Sequence, residues 1–340
     1  MNILVKLVTI EKIRVSVGSA SVLGLGVLPQ FKSPPSTCYI MTYKEGTCNA
    51  NCGFCPQARS SKGSIENLSR VNWPIFNFKD FLTKLKYLPF SKKFKRICIQ
   101  TLNYGDNFKD LVEIVTQIKT YTDIPISVAI PPFSKDQLKE LKYIGIERVG
   151  IALDGATPDV FDNIKGMNIG GPYKWDEHIH KLQEALEIYS KGFVSTHIII
   201  GLGETEKQVI ELMEELNNMG VTISLFAFTP VKGTKYENKP QPEILSFRKL
   251  QLARFLIINH KKKLIDFTFN MSGQLININI SKNNLNDIIN DSNAFLTSGC
   301  PGCNRPYYTS KPSGPIYNYP RGLTEKEKIE VYNLLFEFVK

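Results

Sequence analysis

The amino-acid sequence predicts an α/β fold in which strand–helix units build a parallel sheet, curled into a complete or partial TIM-type (β/α) barrel. Two observations support this prediction. Short β-branched runs alternate with longer segments of helical period from about residue 39, and six or more such units follow one another. The candidate strands are Tyr39–Tyr43, Arg96–Thr101, Ile124–Ile130, Arg148–Leu153, Val194–Ile200, Val221–Phe228 and Leu264–Phe269.

Two segments between these strands show a helical period with one apolar face. Trp175–Ser190 and Glu206–Asn218 are therefore predicted to be core-facing helices. The apolar positions are Ile179, Leu182, Leu186 and Tyr189 in the first segment, and Val209, Ile210, Met213 and Leu216 in the second. In such a barrel the loops at the carboxyl ends of the strands share one mouth, so we expect chemistry at Gly46–Arg59, Asp154–Pro158 and Gly201–Thr205.

The two ends of the chain lie outside this repeating pattern. Gly18–Pro35 is predicted to be an irregular lead-in, and Ser298–Gly322 is rich in proline and glycine and carries two cysteines. Irregular backbone with such a cysteine pair is commonly fixed by a metal. The predicted domains are a lead-in (residues 1–37), a barrel (38–290), and a C-terminal cluster-binding segment with a terminal helix (291–340).

The overall composition is that of a globular protein, with 42% hydrophobic and 22% charged residues. No run of eighteen apolar residues is present, and Met1–Ile10 is too short and too weakly basic for a signal peptide. We therefore expect a cytoplasmic protein without a membrane segment. The net charge of +10 includes a dense patch at Lys92, Lys93, Lys95 and Arg96. Because no basic run is interleaved with aromatic residues, we interpret the patch as solvated charge and expect no nucleic-acid partner.

Three cysteines lie close together after the first candidate strand. Cys48, Cys52 and Cys55 have the spacing CxxxCxxC, and one tight loop can direct three thiolates to three irons of a 4Fe-4S cluster. The fourth iron then stays open to bind S-adenosylmethionine (SAM) and pass an electron into its sulfonium. Structural zinc is the alternative, but zinc prefers four protein ligands in paired CxxC spacing, and a fourth is missing nearby.

Two further elements could contact SAM. Asp154, in the run Leu153-Asp154-Gly155, could accept hydrogen bonds from ribose hydroxyls, although an isolated Asp in a turn is more often a helix cap. Gly201 and Glu204 follow the fifth candidate strand, where a plain strand-to-helix turn is the alternative.

Together with Phe54, which directly precedes the last cysteine, these elements resemble the radical SAM superfamily. The resemblance implies a 4Fe-4S cluster and SAM as cofactors, and cleavage of SAM to a 5′-deoxyadenosyl radical that abstracts hydrogen. It also implies SAM contacts at Phe54, Asp154, Gly201 and Glu204. The GGE element frequent in that superfamily is not seen in Gln100–Asp106, so the contact to the SAM amino group is unassigned.

Across the barrel the sequence is similar to biotin synthase. The shared features are the FCPQ run at 54–57, a cysteine in the second candidate strand, Leu153-Asp154, the GLGET run at 201–205 and the PVKGT run at 230–234. Biotin synthase holds a second cluster with three strand cysteines and an arginine. Here Cys98 matches the first of these positions, but 126–130 and 194–197 contain no cysteine and 269–272 no arginine.

Over nearly its whole length the chain resembles the archaeal two-protein lipoyl synthases. The resemblance is carried by the KIRVSVGSA run at 12–20, the cysteine loop, the LSRVNWP run at 68–74, Cys98, and the CPGCNRPYY run at 300–308. It implies sulfur insertion into an octanoyl chain on an acceptor protein, by two related radical SAM proteins that each use an auxiliary 4Fe-4S cluster. The implied partners are an octanoylated lipoyl carrier protein, the second lipoyl synthase protein and a low-potential electron donor such as ferredoxin.

The auxiliary cluster needs thiolates other than those of Cys48, Cys52 and Cys55. Cys300 and Cys303 are the first candidates, and Cys98 is the third, with Cys38 as its competitor. The CxxC pair could instead form a redox disulfide or half of a zinc site between subunits, and a lone strand cysteine is usually a small buried apolar residue.

The sequence therefore predicts a radical SAM sulfurtransferase of the lipoyl synthase type. The alternatives are biotin synthase, another radical SAM enzyme with an auxiliary cluster, and a non-catalytic iron–sulfur scaffold or electron carrier. An electron carrier has no need of a SAM pocket, which counts against the last. The basic charge balance is expected to favour docking of an acidic carrier domain.

Overall fold

The computed structural model describes residues 10–26, 28, 33–311 and 313–340. Within these residues one eight-stranded sheet has the order β10-β9-β8-β7-β6-β2-β1-β5, and two short hairpins pair β3 with β4 and β11 with β12. The strands are β1 (Lys12–Val15), β2 (Thr37–Met41), β3 (Asn67–Leu68), β4 (Val71–Asn72), β5 (Ile75–Asn77), β6 (Arg96–Gln100), β7 (Ile126–Ile130), β8 (Arg148–Ile151), β9 (Val194–Ile200), β10 (Thr222–Ala227), β11 (Phe267–Phe269) and β12 (Leu275–Ile278).

The run of strands from β2 through β6 to β10 is parallel throughout. This confirms the predicted α/β fold with a parallel sheet, in the form of a partial barrel. The predicted strand Val194–Ile200 has the observed bounds, and five others differ from prediction by one or two residues at one or both ends.

The last candidate strand, Leu264–Phe269, does not extend the parallel sheet. Leu264–Asp266 is a 3-10 turn, and Phe267–Phe269 pairs antiparallel with β12. The chain reverses at Gly273, whose φ of +77° favours glycine. The residue pattern correctly predicted that this segment contains a strand. It could not specify which sheet the strand joins.

Part of the segment predicted to be an irregular lead-in is regular. Val17–Leu23 forms a helix, because Ser16 caps its amino end and Gly24 adopts the left-handed conformation at its carboxyl end. The preceding strand β1 pairs antiparallel with both β2 and β5. The described part of the lead-in is therefore joined to the sheet.

Helices cover one face of the sheet, and the opposite face encloses a lumen. In the described ranges the helices are α1 (Val17–Leu23), α2 (Phe78–Lys86), α3 (Asn107–Tyr121), α4 (Lys135–Tyr143), α5 (Pro158–Ile164), α6 (Trp175–Tyr189), α7 (Glu206–Met219), α8 (Ile244–His260), α9 (Lys282–Asp291) and α10 (Glu325–Leu335). The predicted core positions of α7 are all buried, as are Leu182 and Tyr189 of α6. No helix in these ranges is long and apolar enough to cross a membrane.

The C-terminal tail returns across the barrel and is anchored by Arg248 of α8. This side chain is 2% exposed, and its guanidinium donates to the carbonyl oxygens of Ile316 and Tyr317. The cation also lies 4.8 Å from the ring centre of Tyr319. A buried guanidinium thus fixes the irregular segment that follows the CxxC pair.

Removing this anchor is expected to destabilise the protein. Arg248→Met removes the guanidinium donor from Ile316 O and from Tyr317 O, of which Tyr317 O keeps a bond from Gln251 Nε2 at 3.0 Å. It also removes a buried cation from the face of Tyr319, so the free energy of unfolding in urea should fall by about 3 kcal/mol. Arg321→Met is the control, because Arg321 forms an exposed pair with Glu327 and should change stability by less than about 1 kcal/mol. Equal unfolding midpoints for the two variants would contradict this role of Arg248.

Candidate active site

The loop that carries Cys48, Cys52 and Cys55 follows β2 at the carboxyl edge of the sheet. It is closed by hydrogen bonds from Cys48 N to Gln57 O (2.8 Å) and from Cys55 N to Cys52 O (3.0 Å). Gly53 N donates to Ile164 O at 2.8 Å, and a Cβ at Gly53 would lie only 2.4 Å from Ile169 Cδ1. A larger residue at position 53 would have to displace the Ile169 side chain where this loop packs against the end of α5 and the turn that follows it.

The three cysteines of this loop lie near one another, with Cys48 buried and Cys52 and Cys55 partly buried. Burial raises the pKa of Cys52 to about 12, with a further contribution from Cys48, and burial also raises the pKa of Cys55, with contributions from Cys52 and Cys48. The backbone N–H of Asn103 points at Cys48 Sγ (3.1 Å). Thiolates so placed need a metal to offset their charge, which fits a cluster site.

No group of three His, Cys, Asp or Glu side chains in the described ranges is arranged around a single ion. In a 4Fe-4S cluster each cysteine binds a different iron, so its sulfur atoms are spread more widely than the ligands of one ion.

Asp154 lies on the wall of the cavity beside this loop. The cavity has a volume of about 220 Å³, and its lining includes Cys48, Cys52, Cys55, Phe54 and Asp154. These five residues, all predicted from the sequence to bind SAM or the cluster, thus line one space at the barrel mouth. The SAM contacts themselves stay a prediction.

Two basic side chains hold the Asp154 carboxylate. Lys165 Nζ lies 2.7 Å from Oδ2, and His197 Nε2 lies 3.1 Å from Oδ1. Burial alone would raise the pKa of Asp154, but the Lys165 ammonium and the hydrogen bond from His197 lower it below its ordinary value. The carboxylate is therefore ionised, and its remaining lone pairs can accept hydrogen bonds from a ligand.

Gly201 and Glu204 are placed differently from the other predicted contacts. The Glu204 carboxylate accepts hydrogen bonds from Gly201 N (2.5 Å) and Leu202 N (3.0 Å), and neither Gly201 nor Glu204 belongs to the lining of the cavity. Gly201 has a φ of +101°. Their visible role is to shape the turn between β9 and α7, beside the cavity residues His197 and Ile199.

A second group of thiols forms deeper in the lumen, around Cys98 of β6. On one side Cys98 pairs in register with Tyr39 of β2, whose hydroxyl lies 3.1 Å from Cys303 Sγ. On the other side Cys98 pairs with Ser127 of β7, whose Oγ lies 3.6 Å from Cys300 Sγ. Both tail cysteines therefore lie next to the strand neighbours of Cys98.

The thiols of this second group and the nearby Arg305 influence the pKa of Cys98. Burial raises the pKa of Cys98 to about 12; Cys300 and Cys303 raise it further, whereas Arg305 lowers it. Gln100 Nε2 donates to Cys98 Sγ at 3.1 Å. Three partly buried thiols with a nearby cation and a hydrogen-bond donor match what an anionic iron–sulfur cluster requires.

Cys38, the competitor of Cys98, is directed to the other face of the sheet. Successive side chains in a strand alternate between faces. Cys38 is fully buried in the apolar core under the helices, whereas Tyr39 packs in the lumen with Cys98 and Cys303. Of the two strand cysteines, the structure brings only Cys98 to the tail pair.

The two cysteine groups lie toward opposite ends of the strands. Cys48 follows the carboxyl end of β2, whereas the tail contacts residues that directly precede strands: Ser36 Oγ donates to Gly302 O at 2.5 Å. Asn304 secures this position, since Ser36 N donates to its Oδ1 at 2.9 Å and its Nδ2 donates to Pro34 O at 3.0 Å. The cavity lies between the two groups.

Arg305 separates the cavity from the second cysteine group. Its guanidinium lies 3.9 Å from the ring centre of Tyr308 and 5.1 Å from that of Phe226. In the described part of the chain its Nε has no hydrogen-bond partner, and its backbone N–H donates to Tyr39 Oη at 3.0 Å. This buried cation faces the space that an anionic group would fill.

Sequence reasoning did not identify several residues of the site. Lys165 and Asn103 carry no local signal, because each reaches its partner only through the tertiary fold. Arg305 and Tyr308 lie in the CPGCNRPYY run, and His197 lies in the run that contains Gly201. The closeness of these three residues in the sequence to predicted site residues was the one feature that could have identified them.

The geometry agrees with what comparison with known proteins shows. The sequence pattern of the Radical SAM superfamily matches residues 46–216, half of the chain. The chain therefore belongs to the radical SAM superfamily, and membership implies a 4Fe-4S cluster and SAM.

Relatives within the superfamily are more specific. The biotin synthase of Methanococcus aeolicus is 28% identical over 205 residues, which cover 58% of this chain and 57% of that protein. The biotin synthase of Clostridium acetobutylicum is 26% identical over 228 residues, which cover 65% of each chain. The matches span less than two thirds of either relative, and over this part the chain is similar to biotin synthases.

Among solved structures, methylornithine synthase has a similar fold. The TM-score is 0.50 at 16% sequence identity, and the match covers 64% of this chain and 62% of that one. At this identity the similarity concerns the fold alone, and it supports the partial barrel.

Iron counting tests the two cysteine groups. After anaerobic reconstitution, Cys98→Ala, Cys300→Ala and Cys303→Ala should each reduce the iron content from about eight to about four atoms per chain. Cys38→Ala is the matched control and should retain the wild-type content, because its side chain lies on the helix side of the sheet. A Cys98→Ala variant that keeps all its iron, or a Cys38→Ala variant that loses half, would refute this assignment.

Proposed function

We propose that this protein inserts sulfur into unactivated C–H bonds of a protein-bound octanoyl chain, as one component of a lipoyl synthase. The observation that carries the proposal is the convergence of Cys98, Cys300 and Cys303 in the lumen, beyond the cavity that Cys48, Cys52 and Cys55 line. A second cluster in this place would face a substrate bound in the cavity from the side opposite SAM.

The residues present would hold one cluster at each end of the same lumen. Cys48, Cys52 and Cys55 would hold the cluster that binds SAM, and Cys98, Cys300 and Cys303 the auxiliary cluster. When bound, these clusters and SAM supply the hydrogen-abstracting radical and the sulfur atom, so that one C–H bond breaks and one C–S bond forms at each carbon.

The protein's own side chains would orient the reactants and exclude water. Asp154, ionised by Lys165 and His197, is an acceptor for ribose hydroxyl groups. Phe54 and Phe228 supply apolar walls of the cavity. Arg305 and Tyr308 separate the cavity from the thiols of the tail. A dry, enclosed space protects a reactive radical from side reactions.

Biotin synthase activity is the second candidate, and the names of the curated relatives favour it. Biotin synthase would need strand cysteines on β7 and β9, where this chain has Ser127 and His197 directed into the lumen. Cys300 lies 3.6 Å from Ser127 Oγ, so the tail brings a thiol to the β7 position. This substitution favours an auxiliary site built by the tail.

The proposed partners follow from the same assignment. They are an octanoylated lipoyl carrier protein, a second related radical SAM protein and a low-potential electron donor such as ferredoxin. If the basic surface guides an acidic carrier, raising the salt concentration should weaken their binding.

A product assay tests the function. The anaerobically reconstituted protein, with and without the second protein, is incubated with reductant, SAM and an octanoyl-lysyl peptide, and sulfur added to the peptide is measured by mass. We expect sulfur on the peptide and release of 5′-deoxyadenosine. The Cys300→Ala/Cys303→Ala double variant should still release 5′-deoxyadenosine but add no sulfur, because its auxiliary site is lost.

Dethiobiotin is the competing substrate in this assay. Sulfur added to dethiobiotin and not to the peptide would replace the lipoyl synthase proposal with biotin synthase. Absence of 5′-deoxyadenosine under every condition would contradict any radical SAM activity and would favour an iron–sulfur scaffold.

A further inference from the structure

A second, laterally placed pocket adjoins the lumen. This side pocket has a volume of about 310 Å³ and is lined by the start of α1 at Val17, by the β3–β4 hairpin and its continuation at Val71 and Trp73, and by the tail segment Arg305–Tyr308. The LSRVNWP and CPGCNRPYY runs, more than two hundred residues apart in the sequence, thus form walls of the same space.

The side pocket leads to both parts of the candidate active site. Tyr39 belongs to its lining, and the Tyr39 hydroxyl lies 3.1 Å from Cys303 Sγ. Arg305 and Tyr308 line both the side pocket and the cavity that contains Cys48, Cys52 and Cys55. A ligand that enters the side pocket and passes these two side chains would therefore reach the space between the two cysteine groups.

The chemistry of the side pocket indicates what it binds. Val17, Val71, Tyr307 and the ring of Trp73 are apolar surfaces that suit a hydrocarbon chain. Trp73 is 1% exposed, and within the described residues its Nε1 has no hydrogen-bond partner. A buried indole N–H without a partner is costly, and a carbonyl oxygen of a ligand would satisfy it.

We infer that the side pocket binds the saturated acyl chain of an acyl-lysyl amide, with the amide carbonyl oxygen at Trp73 Nε1 and the far carbons extending past Arg305 and Tyr308. This inference rests on the proposed function and deepens it, because it defines how a substrate tethered to a carrier reaches a buried site. The carrier stays outside, and only the chain enters from the side.

Binding measurements on the anaerobically reconstituted protein test this inference. Octanoyl-lysyl and hexanoyl-lysyl peptides are titrated against wild type and Val71→Phe. The phenylalanine side chain would fill the pocket, and phenylalanine is well tolerated in a strand. Affinity should fall about fourfold for each methylene removed, and about tenfold or more in Val71→Phe. Ile75→Phe is the matched control, because Ile75 is 40% exposed on the neighbouring β5 outside the pocket.

A variant on another wall and a variant at the donor complete the test. Val17→Phe should weaken octanoyl binding as Val71→Phe does. Agreement between the two variants excludes a local folding defect in one of them as the cause. Iron content and thermal unfolding check that both variants are folded. Trp73→Phe keeps an aromatic ring but lacks the N–H, and should weaken binding of the octanoyl amide about threefold to tenfold.

The outcomes separate this inference from the proposed function. Unchanged octanoyl affinity in folded Val71→Phe and Val17→Phe, no dependence on chain length, or a preference for free octanoate over the amide would each overturn the inference. If wild type binds the octanoyl chain in this pocket but adds no sulfur to it, the inference stands and the proposed function fails. If sulfur is added equally by both pocket variants, the function stands and the pocket assignment fails.

Discussion

Asn304 donates a hydrogen bond to Pro34 O and accepts one from Ser36 N, and these two bonds hold the C-terminal tail against the segment that leads into β2. The candidate active site depends on this attachment, because it places Cys300 and Cys303 beside strand residues Ser127 and Tyr39. Arg248 anchors the same tail farther along, at Ile316 and Tyr317. Without these contacts the second cysteine group would be reduced to the single thiol of Cys98, which cannot hold a cluster alone. The irregular tail is therefore a part of the site, positioned by specific polar contacts.

Buried charge is balanced separately at each end of the lumen. At the carboxyl end of the strands, Lys165 and His197 neutralise Asp154. Deeper in the lumen, Arg305 lies among Tyr39, Phe226 and Tyr308, and it lowers the pKa of Cys98 and Cys303 while burial raises them. Thiols must lose their protons to bind metal, so a nearby cation makes that step less costly. Arg305 also lines both the cavity and the side pocket, so the same charge lies at the junction of the spaces that SAM and substrate would use.

The sequence predicted most of the fold, since β-branched runs and apolar helix faces report local structure directly. It failed where the outcome depended on tertiary pairing: Phe267–Phe269 joined a separate hairpin, and capping by Ser16 and Gly24 made a helix in the lead-in. The motifs and the family resemblance already suggested two cysteine groups, but they left Cys98 and Cys38 as competitors for the second one. Register placed Cys98 in the lumen and Cys38 in the core, although the two lie on adjacent strands. Lys165 and Asn103 could not be predicted, because their partners are distant in sequence.

We propose that one lumen holds two iron–sulfur clusters, one at each cysteine group. The most direct measurement is anomalous diffraction at the iron absorption edge from anaerobically grown crystals of the reconstituted protein. We expect two separate iron peaks, one beside Cys48, Cys52 and Cys55 and one beside Cys98, Cys300 and Cys303. A single peak at the first group, with the tail cysteines free or joined as a disulfide, would contradict it.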